Sequence, residues 1–239
     1  MKNNQMHNNQ NIFQRKHSIF PVIHVESQDQ ALRNAEIARK ANCDGVFLIN
    51  HGIGFKELLK IHRSVFKEFP DWWIGVNCLD LKPQAVFKKL SDDIAGVWVD
   101  NAMINEKSDI QREAELIREA REESGWQGLY FGGVAFKYQR YVDDVANAAQ
   151  IATRYMDILT TSGPGTGKAA TIDKIKVMKR AIGDFPLAIA SGITPDNVLD
   201  YLDYADCFLV ATGISKSWTE LDEGKLKRLA KNVRSYSVL

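Results

Sequence analysis

Leu187-Ala-Ile-Ala-Ser-Gly-Ile-Thr-Pro-Asp-Asn197, followed by Cys207-Phe-Leu-Val-Ala-Thr-Gly-Ile-Ser215, decides how this chain is read. Each segment is a short apolar, β-rich run that stops at Ser-Gly or Thr-Gly and gives way to a helix start. Two adjacent strands of a β/α barrel deliver backbone N–H groups to an anion in this way. Gly192 and Gly213 permit close backbone approach, Thr194 fits an N-cap with Pro195 at the first helical position, and Ser191 and Thr212 add hydroxyl donors. The pattern predicts an anion cradle at the ends of the last two strands. The plainer alternative is that these glycines only turn the chain.

Working outward, the same alternation fills the chain. Strands are expected near 19–25, 45–50, 72–77, 94–100, 128–134, 156–161, 186–191 and 206–212. Amphipathic stretches lie between them: Ile110, Ala114, Ile117 and Ala120 share one helical face, and so do Ile175, Met178 and Ile182. Ser108-Asp-Ile-Gln111 reads as a capping box, and Gly125 and Gly183 as helix ends. Eight β-then-α units without an intervening linker predict a closed (β/α)8 TIM barrel, because an open doubly wound sheet needs only about five or six strands. The domain reading is a flexible Asn/Gln-rich tail over 1–18 and a single barrel over 19–239.

Composition narrows the partners. The chain has 239 residues, 45% of them hydrophobic and 26% charged, with a formal net charge of +1. Such a balance offers no basic field for nucleic acid. No apolar run reaches the roughly 18 residues that span a bilayer, and the start of the chain has no secretory apolar segment, so a cytoplasmic protein is expected. Cys43, Cys78 and Cys207 show no CxxC spacing and read as reduced core thiols. Trp72, Trp73, Trp98, Trp126 and Trp218 are expected in the shell between helices and barrel.

A barrel presents the residues just past each strand at its C-terminal mouth. Lys137, after strand five, is the leading candidate for acid, base or imine chemistry, with a phosphate-pairing cation as the alternative. Asp100, Glu26 and Asp80 are candidate carboxylates, and Asn50 and Asn77 candidate orienting amides. His51 suits acid/base work or a polar turn, while His24 reads as a barrel-facing histidine. A metal set of His24, Glu26, His51 and Asp100 lacks the usual ligand spacings, so neither metal nor cofactor is expected. Ser162-Gly-Pro-Gly-Thr-Gly-Lys-Ala169 is not a P-loop: Ser162 stands where the first glycine belongs and Ala169 where a hydroxyl residue belongs. In a barrel this loop can fold over a ligand, with Gly163, Gly165 and Gly167 giving flexibility, Thr166 and Lys168 reaching an oxyanion and Ser162 and Gly163 beside it, or it is simply a flexible loop.

Several segments occur together in a family's order: Gly75-Val-Asn-Cys-Leu79 with Pro83 and Phe87, Ala135-Phe-Lys137, Thr161-Ser-Gly-Pro-Gly-Thr-Gly167, Ala190-Ser-Gly-Ile-Thr-Pro-Asp-Asn-Val198, and Tyr204-Ala-Asp206 leading to Val210-Ala-Thr-Gly213. In these the chain resembles the BtpA family, named for photosystem I biogenesis and itself similar to the ribulose-phosphate-binding TIM barrels. Two positions depart from its pattern: His24-Val-Glu-Ser27 replaces a Pro- and Gly-rich first loop, and Tyr138 replaces a histidine after the lysine. The resemblance implies a barrel that acts on a small phosphorylated, sugar- or ribose-derived metabolite by isomerase, lyase or transferase chemistry. The alternatives are a non-catalytic phosphate-ligand-binding barrel and an assembly or stability factor. Homo-oligomer formation is left open.

Overall fold

Eight parallel strands, each an apolar run too short to span more than one barrel wall, close on themselves in the order β1-β2-β3-β4-β5-β6-β7-β8. The computed structural model of the chain describes residues 15–236. The strands are β1 (Ser18–Val25), β2 (Gly45–Asn50), β3 (Trp73–Asn77), β4 (Gly96–Val99), β5 (Leu129–Gly133), β6 (Ile158–Ser162), β7 (Leu187–Ala190) and β8 (Cys207–Val210). Closure comes from β1 pairing with β8, Ser18 opposite Cys207 and Pro21 opposite Val210. The helices are α1 (Gln28–Lys40), α2 (Phe55–Glu68), α3 (Pro83–Val86), α4 (Arg112–Ser124), α5 (Val145–Ala152), α6 (Ile172–Ile182) and α7 (Glu223–Arg234). The eight expected strands and the barrel stand.

The helix expectations hold where periodicity is sustained. Ala114, Ile117 and Ala120 are the buried face of α4, and Ile175 and Met178 that of α6. Gly125 and Gly183 close those helices at positive φ. Ile110 does not belong to the helix and is exposed. Nor is Ser108 a cap: Gln111 is the cap residue, and its side chain folds back onto the carbonyls of Asn105 and Ser108. After β7 no α-helix starts at Pro195. Thr194 Oγ1 instead accepts from the N–H groups of Asp196 and Asn197, a local turn that competes with helix initiation, and only a 3₁₀ turn, Val198–Tyr201, follows.

Tryptophan fills the barrel as well as its shell. Trp72 and Trp126 pack between helices and wall as expected, but Trp73 and Trp98 lie in the lumen with Phe20, Phe47 and Phe131. The Trp73 ring centroid is 4.7 Å from Phe20 and 5.0 Å from Phe47. Room for this indole is made by an absent side chain: a Cβ on Gly96 would fall 2.3 Å from Trp73 Cζ2. The three cysteines are free and buried, and burial pushes the Cys43 and Cys78 thiols up to about 12.

The N-terminal end of the barrel is stitched by one device used three times. The aspartate just before β2, β6 and β8 donates its N–H to the carbonyl of the first or second residue of the preceding strand and accepts that residue's N–H on its carboxylate. The pairs are Asp44 with Ile19, Asp157 with Tyr130, and Asp206 with Leu187; the N–H to carboxylate distances are 2.8, 2.7 and 2.8 Å. Each carboxylate also holds a cation from an outer helix: Arg234, Arg121 and Lys179. Each of these N–H groups, on the first or second residue of its strand, thereby has a charged acceptor.

The expected tail enters the described region at residue 15. There Arg15 pairs with Asp44, His17 is buried with Nδ1 2.9 Å from the Ala205 carbonyl oxygen, and Ser18 opens β1. The structured barrel therefore starts before Ile19, and the rest of the expected tail lies outside the described residues.

Candidate active site at the barrel mouth

At the C-terminal ends of the strands a cavity of about 260 Å³ is lined by residues from both halves of the barrel. Its polar wall is His24 (β1), His51 (after β2), Asp100 (after β4), Lys137 (after β5), Thr166 (β6 loop) and Thr212 (after β8). Strand alternation explains the first of these: Val22 and His24 point inward together. Glu26, of the same parity, lies past the end of β1 where the chain bends toward the Ser27 cap. Its N–H is held by Gln30 Oε1, its side chain is exposed, and it does not line the cavity.

Asp100 is the group that the site perturbs most usefully. Burial pushes its carboxyl above the ordinary value, while a hydrogen bond from Asn77 Nδ2 at 2.9 Å and the charge of Lys137 oppose that rise. Asn77 thus orients Asp100. Asn50 and Asp80 are spent elsewhere. Asn50 Nδ2 donates to Asp80 Oδ1 at 2.7 Å and to the Ile53 carbonyl, and its Oδ1 accepts from the Leu79 N–H. Asp80 Oδ2 accepts from the Phe55 N–H at the start of α2. These two residues clasp the β2 and β3 loops together, and neither lines the cavity.

Three rings pack at the opposite rim. His24 lies 4.0 Å from Trp218 and 4.8 Å from His51, centroid to centroid, and His51 lies 5.2 Å from Trp218. Burial, then the neighbouring His51, holds His24 down at about 4, and burial also lowers His51. Both rings are therefore neutral near pH 7, and the buried Nδ1 of His24 has no hydrogen-bond partner. Trp218 is half exposed and covers them.

The β6 loop is a roof tied on three sides. Lys137 Nζ is 3.5 Å from Thr166 Oγ1, Tyr138 Oη accepts from the Thr166 N–H at 3.0 Å, and Ser191 Oγ joins the Gly167 N–H to the Gly165 carbonyl. Ser162, expected at an oxyanion, is fully buried; its Oγ accepts from the Lys137 N–H and donates to the Gly163 carbonyl. Gly163 is enclosed by the Lys168 and Ala169 carbonyls. These two residues shape the loop from beneath, while Thr166 faces the cavity.

The two strand-end glycines are brought together. A Cβ on Gly213 would fall 2.0 Å from the Ile193 carbonyl oxygen, and one on Gly192, whose φ is +75°, would strike the Ala169 backbone at 2.1 Å. The β6, β7 and β8 loops thus meet backbone to backbone, which no larger residue allows. The N–H groups of Gly192, Ile193 and Gly213 take part in no backbone hydrogen bond outside the regular elements. Both hydroxyl residues expected beside them, Ser191 and Thr212, line the cavity, and Ser191 is also engaged with the roof. Among the described residues, no group of three or more His, Cys, Asp or Glu side chains is arranged to hold a metal ion.

Lys174, on α6, was missed by sequence reasoning. Its Nζ donates to the Ala135 carbonyl at 2.5 Å and to the Ser162 carbonyl at 2.7 Å, at the ends of β5 and β6, and burial brings its ammonium down to about 8. Its place at the start of an amphipathic helix made it look like an ordinary solvated lysine.

Eight parallel strands with a polar cavity at their C-terminal ends define a TIM barrel of the kind that carries its site at the mouth. Residues 114–235 match the BtpA family, and the chain belongs to that family. An uncharacterized protein of Thermococcus kodakarensis is 33% identical over 88 residues, 34% of this chain and 33% of that protein, so the chain spans about a third of the length of this curated relative. Tryptophan synthase subunit alpha of Legionella pneumophila superposes with a TM-score of 0.70 at 12% identity, covering 98% of this chain and 99% of that one. The (S)-3-O-geranylgeranylglyceryl phosphate synthase of Thermoplasma acidophilum, in complex with its substrate sn-glycerol-1-phosphate, gives 0.67 at 12% identity over 94% and 96%. At these identities the likeness shows the fold. No helix among the described residues is long and apolar enough to cross a membrane.

Proposed function

We propose that this chain is an enzyme acting on a small phosphorylated, sugar- or ribose-derived metabolite by isomerase, lyase or transferase chemistry. The observation that carries the reading is the convergence of Asp100, Lys137, His24 and His51 on one cavity that opens beside the β7 and β8 ends. The phosphate would sit against the N–H groups of Gly192, Ile193 and Gly213 and the Thr212 hydroxyl, donors that meet where the β7 and β8 ends approach backbone to backbone. A barrel of the same fold, the Thermoplasma acidophilum synthase, has a phosphorylated substrate, which supports that class of ligand.

The chemistry follows from the two charged groups. Asp100, raised by burial and steadied by Asn77, takes a proton from the substrate carbon next to a carbonyl. The electron pair of the broken C–H bond moves onto the carbonyl oxygen, and the Lys137 ammonium stabilises the oxyanion that forms. Return of the proton to a neighbouring carbon completes an isomerisation; loss of a leaving group or capture by a second substrate gives a lyase or a transferase. His24 and His51, both neutral, and Trp218 would close the far wall around the body of the substrate.

Thermal unfolding against triose, pentose and ribosyl phosphates and their unphosphorylated counterparts tests the reading. A ligand at a hundred times its dissociation constant adds about 2.7 kcal/mol. Phosphorylated compounds should stabilise and their dephosphorylated forms should not. Lys137→Met and Asp100→Asn should each leave the fold intact and abolish turnover of the compound so found. Stabilisation by inorganic phosphate alone, with no compound turned over, would return the barrel to ligand binding; no stabilisation by any phosphate would end the reading.

A further inference from the structure

A second cavity, of about 600 Å³, lies outside the mouth between the β5 and β6 loops. Its body is apolar, formed by Phe136, Val142, Val145, Pro164 and Ala170, and Lys174 is at its base. Tyr138 and Tyr141 stand at its rim, 78% and 83% exposed. We propose that this cavity binds a carboxylate with an aromatic or branched apolar body, its acid group directed at Lys174. This site is independent of the reading given to the mouth.

The argument rests on an uncompensated charge. Lys174 donates to two peptide carbonyls, and among the described residues no carboxylate lies within 4.0 Å of its Nζ. Of the other charged groups around the cavity, two are paired with an opposite charge and the third, Lys137, is turned toward the roof of the mouth. Arg140 is paired with Glu106, Asp143 with Lys107, and Lys137 reaches over to Thr166. Burial alone sets the Lys174 ammonium down at about 8. An ammonium has three donors, and carbonyl dipoles do not replace a counter-ion in a desolvated place. A carboxylate beside the third donor would supply one, while the apolar wall and the tyrosines would cover the rest of the molecule. If Lys174 served only to stitch the β5 and β6 ends, a cavity lined by exposed tyrosines and apolar side chains would have no reason to open beside it.

The test uses the full chain and 8-anilinonaphthalene-1-sulfonate, an aromatic anion ionised throughout, with the uncharged N-phenyl-1-naphthylamine as its control. Fluorescence titration should show saturable binding of one sulfonate per chain, at least about tenfold tighter than the neutral probe, the expected worth of one charge-assisted contact. Lys174→Met should remove that preference and leave the neutral probe unchanged. Val145→Trp, which fills the groove, should weaken both, and Trp218→Ala, at the mouth, neither. Indole-3-acetate should displace the sulfonate and inorganic phosphate should not. The sulfonate should also bind more weakly as pH rises through 8, because the lysine then loses its charge. Lys137, Tyr138, Arg140, Tyr141 and Asp143 also face this cavity, so the pH effect must vanish in Lys174→Met. If that variant fails to fold, Lys174→Gln and the pH series on the unaltered chain carry the test. Equal binding of the two probes, indifference to both Lys174 and Val145 substitutions, or loss of binding on Trp218→Ala would overturn the proposal.

Discussion

Replacing Asp44 by alanine removes the most buried of the three aspartate clasps, whose side chain is only 10% exposed. Three interactions are lost together, of which the half-exposed Arg15 pair at 3.5 Å is worth little. The Ile19 N–H, on a residue with no exposure, is left without an acceptor, at a cost of about 1–3 kcal/mol. Arg234 loses a partly buried charge partner but keeps the His17 carbonyl at 2.6 Å, so this second loss is about 1 kcal/mol. The expected sum is about 2–4 kcal/mol, or roughly 4–16 °C in Tm for a chain of this size. Urea unfolding of Asp44→Ala, Asp44→Asn, Arg234→Met and the Asp44→Ala/Arg234→Met pair apportions it. Asparagine keeps an acceptor for the Ile19 N–H and loses only the charge, so it should cost about half as much as alanine. An alanine variant within about 0.5 kcal/mol of the parent, or an asparagine variant as damaged as alanine, would refute the view that this carboxylate satisfies the strand start.

Gly96→Ala drives a methyl into the indole of Trp73, 2.3 Å from Cζ2, and should cost about 1–3 kcal/mol in urea unfolding; adding Trp73→Phe should recover part of it. Stability should fall as pH drops from about 7 toward 4. His24 is held neutral down to about 4 against an ordinary 6.5, so between those values the unfolded chain binds the proton and the folded one does not. His24 alone should cost roughly 2 kcal/mol between pH 7 and 5, read as the change in unfolding free energy, and a flat profile over that range would contradict its burial. Asn77→Ala removes the hydrogen bond that favours the Asp100 carboxylate and should move that group's titration further upward in a ¹³C-carboxyl NMR series; a downward move would mean that Asn77 does not stabilise the charged form.

The barrel was legible because each unit repeats the same switch, from a short apolar run to a 3.6-residue period, and eight such switches leave little choice of topology. Which mouth residues face the cavity was not legible, because that depends on where a side chain is already committed. Asp80 and Asn50 stand at strand ends as Asp100 and Asn77 do, yet the first two are consumed by loop N–H groups that are far away in sequence. Glu26 fails for a different reason: inward alternation stops with the strand, which ends at Val25. A signal for the clasps was present and unread. An aspartate between small or apolar neighbours recurs at the same place before β2, β6 and β8, in Cys43-Asp-Gly45, Met156-Asp-Ile158 and Ala205-Asp-Cys207.

Left-handed backbone gathers at the C-terminal end of the barrel, with Asn42, φ 60°, as its counterpart before β2. At the N-terminal end, the N–H groups of Ile19, Tyr130 and Leu187, at the starts of β1, β5 and β7, are met by aspartates that are themselves paired with cations. At the C-terminal end, four residues other than glycine hold a left-handed backbone: Met103 after β4, Ala135 and Tyr138 after β5, and Ser191 after β7, with φ of 61°, 47°, 61° and 80°. Each such residue costs of order 1–3 kcal/mol and persists only where its surroundings enforce it. The enforcing contacts are those that shape the mouth: the Ala135 carbonyl is held by Lys174, Tyr138 by Thr166, and Ser191 by the N–H of Gly167. Ala135, Tyr138 and Ser191 flank Lys137 and the β6 loop, so the same contacts that hold their strained backbone carry Lys137 and the roof to the cavity that Asp100 lines.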